Sequence, residues 1–217
     1  MGNIGYKSIL NKGQFIFTIK KSKFIGNSYP VTSKQEAEKY IEHIKDMEKN
    51  ARHNCYAYRV IENGVLIERF SDDGEPKGTA GIPILEILRK EELNNILIMV
   101  TRYFGGILLG ATGLLRAYST TAKNVVSESK IVEKKFFVEC EIKVNYESIN
   151  LLEKYFSDSN IKIVDKKYFD MVIFNILIDD LKKDEILNKI KNITLAKYEI
   201  NIKGGDFYPI GEKGYNL

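Results

Sequence analysis

An α+β fold in two domains is predicted by three features of the chain. Two strand-like runs, His53–Ile61 and Val65–Phe70, flank the hairpin signal Glu62, Asn63, Gly64. A helix–strand–helix pattern surrounds the apolar run Asn95–Phe104. After Lys130 the texture changes to lysine-rich alternation with almost no glycine until Gly204. The boundaries read as 1–130 for the first domain, 131–204 for the second and 205–217 for a tail.

In the first domain Gln14–Lys20 alternates weakly and Phe24–Val31 is extended. Ser33 and Glu36 then form a capping box, followed by Ala37, Tyr40, Ile41, Ile44 and Met47 on one helical face. The hairpin follows, and after it the loop SDDGEPKGTAG, Ser71–Gly81, leads to Pro83 at the first position of a helix reaching about Glu91. Asn95–Phe104 is a buried strand, and Thr112–Glu128 a helix whose Leu114, Tyr118, Ala122 and Val125 share a face. Helices packed antiparallel to that strand on either side of it would bring their N-termini to its C-terminal end, where Arg102 and Tyr103 arrive.

The second domain runs Phe136–Val144 strand, Glu147–Phe156 helix, Ile161–Phe169 and Met171–Ile178 strands, Lys182–Ile190 helix and Thr194–Lys203 strand. That βαββαβ order is the ferredoxin-like plan. The tail GGDFYPIGEKGYNL reads as a loosely ordered extension.

Composition narrows the function classes. With 217 residues, 44% hydrophobic and 29% charged, the chain is long enough for real cores. A net charge of +4 is too mild to argue for nucleic acid without a local patch. Cys55 and Cys140 form neither a disulfide framework nor a zinc module, which fits a reducing compartment. MGNIGYKSILNKG has no apolar h-region, and no apolar run approaches the ~20 residues of a membrane span. The expectation is a cytoplasmic protein with no membrane association.

The residues that point to chemistry gather around two glycine loops. GTAG (Gly78, Thr79, Gly81) and GATG (Gly110, Gly113), with Gly105 and Gly106 before the latter, each deliver the chain into a helix N-terminus, where free N–H groups and the dipole favour an anion. Tight turns alone would also account for these glycines. Arg116, in the first turn of its helix, opposes the dipole unless an anion or one of Asp72, Asp73 and Glu75 compensates it. Arg102 suits bidentate phosphate recognition or a bridge to a neighbouring acid. Tyr103, Phe104 and Tyr118 suit base stacking or core packing. Asp72 and Asp73 fit a Mg²⁺–phosphate site, an acid–base pair or a capped DDG turn. His53 and Cys55 share a strand face, as a metal or nucleophile pair would. With two histidines in the chain no metal site is expected, and no GxGxxG, GxxxxGK[ST], GxSxG or HExxH fingerprint is present, so no cofactor is expected either. In the second domain DMVIFNILI lacks the RNP1 pattern, and its lysines are interleaved with acids.

SKFIG, HNCYAYR, SDDGEPKGTAG and TRYFGGILLGATGLLRAYS, in this order, resemble the YigZ/IMPACT family over most of Lys20–Glu128. The resemblance implies a first domain with the fold of elongation factor G domain IV and the ribonuclease P protein. It implies a second like the ferredoxin-like domain of bacterial members. Eukaryotic relatives restrain a starvation-responsive translation kinase by competing for its activator protein; the resemblance here is to a bacterial-type, two-domain member, in which their N-terminal interaction domain is not expected and that role is not simply inherited. Three readings follow. The first is a non-enzymatic binder of RNA, the ribosome or phosphate groups through Arg102, Tyr103, Arg116 and the glycine loops, regulating translation. The second is an enzyme on a small phosphorylated or acidic metabolite using Asp72, Asp73 or His53. The third is a regulator acting only through protein partners of the translation machinery.

Overall fold

The computed structural model describes residues 5–211 and 214–215. The fold is α+β, with antiparallel sheets and five helices among those residues. The chain divides into two compact units, Tyr6–Val132 and Glu133 onward.

The first unit contains β1 (Tyr6–Ile9), β2 (Gly13–Ile19), β3 (Ser22–Pro30), α1 (Lys34–Met47), β4 (His53–Glu62), β5 (Val65–Ser71), α2 (Gly81–Lys90), β6 (Ile96–Tyr103) and α3 (Gly110–Glu128). The sheet order is β2-β3-β6-β4-β5. β6 is central and buried on both faces, which explains its unbroken apolar run Ile96–Val100. Ile98 and Val100 join Phe24, Ile84, Leu88, Leu114, Tyr118 and Val125 beneath α2 and α3. Leu97 and Met99 join Val31, Ala37, Ile41, Ile44, Tyr58 and Val60 beneath α1. Alternation along one strand thus serves two cores.

The start of α1 is built as the capping box requires: Ser33 Oγ accepts from Glu36 N at 3.0 Å. The carboxylate of Glu36 returns to Thr32 N at 2.7 Å rather than to Ser33. Asn63 and Gly64 take φ of 50° and 76°, the left-handed pair of a tight hairpin. Lys20 and Lys21 do the same at 45° and 64°, without glycine or asparagine to announce it. β1 also escapes sequence pattern, because four residues cannot show alternation. Tertiary contacts hold it: Asn94 N donates to Lys7 O at 2.9 Å and Ser8 Oγ to Asn95 O at 3.2 Å. α2 begins at Gly81, ahead of Pro83, and α3 at Gly110, ahead of Thr112.

The second unit follows the order β7 (Ile131–Val144), α4 (Ile149–Asp158), β8 (Lys162–Tyr168), β9 (Val172–Asp179), α5 (Lys183–Ile193), β10 (Tyr198–Gly211), with β11 (Gly214–Tyr215) after it. Its strands are arranged β11-β10-β7-β9-β8. Val138, Cys140 and Ile142 of β7 and Phe174 and Ile176 of β9 pack with Leu152 and Phe156 of α4 and Ile186 and Ile190 of α5.

The tail departs from expectation. Residues 205–211 are strand, not a loose extension: β10 continues past a bulge near Lys203 and pairs Gly204 with Glu139 through to Ile210 with Glu133. The reason is β7, which starts at Ile131 rather than Phe136 and offers the later residues a ladder. Phe136 meets Phe207 edge-on at 5.2 Å, and Phe137 meets Tyr208 at 6.1 Å. The tail's residues 212–213 and 216–217 lie outside the described residues.

Candidate functional site

At the C-terminal end of β6 the structure brings Arg102 and Tyr103 together with His53, Glu75 and Tyr118. Arg102 is not open to a ligand there. Its side chain is 6% exposed and Nη1 donates to Glu75 Oε1 at 2.6 Å, Glu75 itself being 3% exposed. Nη2 donates to Ser22 Oγ at 3.4 Å. Tyr118, wholly buried, donates its hydroxyl to the same Glu75 oxygen at 2.9 Å. His53, the cross-strand neighbour of Arg102, brings Nε2 to 3.8 Å from that oxygen and Nδ1 to 2.8 Å from Asp73 O. Glu75 is therefore the hub of a buried polar cluster, and Arg102 balances its charge.

The first glycine loop already holds an anion of its own. Asp72 Oδ1 accepts from Ala80 N at 3.0 Å and Gly81 N at 2.8 Å, and Oδ2 from Gly78 N at 2.8 Å. The N–H groups of Gly78 and Gly81 that the sequence offers to a phosphate are thus taken by the carboxylate that caps α2. Thr79 turns inward, its N–H and hydroxyl both donating to Pro76 O. Asp73 pairs with Lys45 at 2.6 Å and accepts from Asn54 N at 2.7 Å. Neither aspartate stands as a free acid or base: the capped-turn reading of DDG describes Asp72, and Asp73 is tied to α1 and β4 instead.

Cys55 and His53 do not form a nucleophile pair. The thiol is fully buried, with Sγ 3.0 Å from Asp72 O and 3.4 Å from the Tyr118 hydroxyl. Burial first, and then the charges of Glu75, Asp73 and Asp72, push it up to about 12, although the Tyr118 hydrogen bond acts the other way. Burial likewise raises Tyr118 far above the ordinary phenol range, with Cys55 and Glu75 adding to it. Among the described residues no group of three or more His, Cys, Asp or Glu is placed to hold a metal ion.

The second glycine loop is open. Gly105 sits against the β2–β3 turn so closely that a Cβ would lie 2.0 Å from the Lys21 carbonyl carbon, and its N–H donates to Ser22 Oγ at 3.2 Å. Gly106 and Gly110 are exposed and take φ of 81° and 73°. Gly113 is half-buried inside α3, which has no side-chain cap at its start. Because α3 begins at Gly110, Arg116 falls in its second turn, and the dipole argument for an anion beside it loses most of its force. Arg116 is exposed and makes no ion pair among the described residues. Tyr103 donates to Glu48, a bond that, ahead of burial, raises its phenol. Phe104 is 47% exposed.

Sequence reasoning missed the cations around these groups. Lys20 and Lys21 form the turn under Gly105, Lys23 pairs across from Tyr103, and Arg52 donates its N–H to Arg102 O at 2.8 Å. Lys77 lies in the first glycine loop. All five are exposed and, with Arg116, without an ion pair among the described residues. The run Lys20, Lys21, Lys23 was the available signal, and only the fold brings it to the end of β6.

Comparison with known proteins adds identity to this geometry. The Impact N-terminal domain family matches residues 20–126. The IMPACT family member YvyE of Bacillus subtilis (strain 168) is 34% identical over 195 residues, covering 90% of this chain and 89% of that protein. YigZ of Escherichia coli (strain K12) is 28% identical over 183 residues, 84% of this chain and 90% of its own. A crystal structure of a hypothetical protein superposes with a TM-score of 0.62 at 26% identity, covering 90% of this chain and 96% of that one.

Proposed function

Since the chain belongs to the IMPACT family, we propose that its first unit is a non-enzymatic binding module for RNA or the ribosome, acting in translation in the cytoplasm. In the same reading the second unit, with its βαββαβ order, is a ferredoxin-like domain. Among the described residues no helix is long and apolar enough to cross a membrane.

One asymmetry carries the reading. At the end of β6 the acids are spent inside the protein: Asp72 on backbone N–H groups, Asp73 on Lys45, Glu75 on Arg102, Glu48 on Tyr103. The cations Lys20, Lys21, Lys23, Arg52, Lys77 and Arg116 are left exposed and unpaired among the described residues. Lys20, Lys21, Lys23 and Arg52, which adjoin the end of β6, turn a mild net charge of +4 into a local excess there, the footprint of a polyanion partner. The grip is therefore assigned to these cations, and Arg102 to the support beneath them.

Binding to purified ribosomes and to short RNA, measured as salt is raised, tests the proposal. Each phosphate contact to a single strand contributes about −0.7 to the slope of log K against log salt. Lys21→Ala/Lys23→Ala/Arg52→Ala is expected to flatten that slope and weaken binding to all sequences alike. If the unaltered protein leaves both ribosomes and RNA unbound at low salt, the proposal falls.

A further inference from the structure

Phe104 extends a stack that begins in the core. Phe24 and Arg102 are direct cross-strand partners, and the guanidinium carbon lies 5.4 Å from the Phe24 ring centre and 5.5 Å from that of Phe104. Phe24 is wholly buried and braced edge-on by Tyr118 at 5.2 Å. The guanidinium is in turn fixed by Glu75 and Ser22. One face of the Phe104 ring is thus backed by a rigid planar cation, while the residue remains 47% exposed. Its next neighbours, Gly105 and Gly106, carry no side chain to screen it.

Resting on the RNA-binding reading above, we infer that Phe104 is a stacking platform for an unpaired nucleobase, and that the module takes single-stranded rather than duplex RNA. The chemistry of the surroundings selects this partner. Aromatic faces bind bases of any identity when those bases are unstacked, and a basic rim follows the backbone between them. Here the rim is the Lys20–Lys21 turn, against whose backbone Gly105 is packed, and Arg52, whose N–H is bonded to the carbonyl of Arg102. A duplex buries every base face except those of its two end pairs, so along its length it has nothing to lay on the ring. The buried Arg102–Glu75 pair then has a role in binding without touching phosphate: it holds the ring level.

The test is fluorescence anisotropy with labelled oligoadenylate and, separately, a blunt RNA duplex. Phe104→Leu keeps apolar bulk and removes the π-face; Phe104→Trp keeps the face and enlarges it. Stacking on one base is expected to be lost in Phe104→Leu as a 5- to 150-fold weakening, to order of magnitude, on oligoadenylate, with the duplex unchanged and affinity restored in Phe104→Trp. Wild-type affinity of Phe104→Leu for oligoadenylate, or equal losses on both probes, overturns the platform. If in that case Lys21→Ala/Lys23→Ala/Arg52→Ala still weakens both probes, the RNA-binding reading stands without it. No binding of either probe by the unaltered protein at low salt overturns the platform, and the reading beneath it falls as well if ribosomes are also left unbound.

Discussion

Replacing Glu75 by glutamine removes the charge that balances a buried guanidinium. The Glu75 and Arg102 side chains are 3% and 6% exposed and meet at 2.6 Å. Removing one partner of such a pair costs about 3–5 kcal/mol, because the other charge stays desolvated. Glutamine keeps an oxygen that can accept from Tyr118, which donates at 2.9 Å, so Glu75→Gln belongs at the lower end, about 3 kcal/mol. Arg102→Met strands the carboxylate instead and costs a similar amount, about 3–5 kcal/mol. The double variant strands neither charge, so its cost should fall short of the sum by about 2–3 kcal/mol. Urea unfolding followed by far-UV circular dichroism measures all three, and hydrogen exchange at the β6 amides assigns the transition to the first unit. Costs that add to within about 0.5 kcal/mol would refute the pairing as a stability element and return Arg102 to the list of ligand-binding residues.

The Cys55 thiol, pushed up to about 12 mainly by burial, stays protonated in the folded protein where an unfolded thiol ionises from about 8.5. The unfolded state then binds fewer protons, so stability falls as pH rises between those values, by at most ~1.4 kcal/mol per pH unit for this group. Cys55→Ala should flatten that stretch of a stability–pH profile. Gly105→Ala should cost well over 1 kcal/mol in a thermal or urea melt, since its Cβ must displace backbone at Lys21. Gly106→Ala, which meets nothing within 4 Å, should cost only the left-handed penalty of about 1–2 kcal/mol.

What could be read from sequence was local. The Ser33–Glu36 box and the Asn63–Gly64 turn are written in adjacent residues, because their hydrogen bonds and dihedrals close within four positions. The central strand was legible from its apolar run. Burial decided the rest. Arg102 pairs with Glu75, twenty-seven positions away in sequence, and nothing in either residue's neighbours distinguishes a guanidinium turned toward an acid from one turned toward solvent. The same holds for Lys20 and Lys21, whose turn is held by a glycine far along the chain. The second β10 half was hidden for another reason: Gly204 and Gly205 read as an ending, whereas they follow a bulge at Lys203 and pair on in a strand that continues.

Under the proposed reading, the carboxylate that caps α2 also bears on how fast this protein would meet an RNA partner. A glycine loop that waits for a phosphate must be ordered by it, and that ordering is subtracted from affinity and slows productive encounters. The 72–81 loop carries its own anion, and its neighbours Asp73, Glu75 and Thr79 are each tied inward. That loop is thus already assembled in the free protein. In the RNA-binding reading proposed above, association is then a docking onto a preformed loop, set by collision and charge, with the lifetime of the complex left to the side chains that face out.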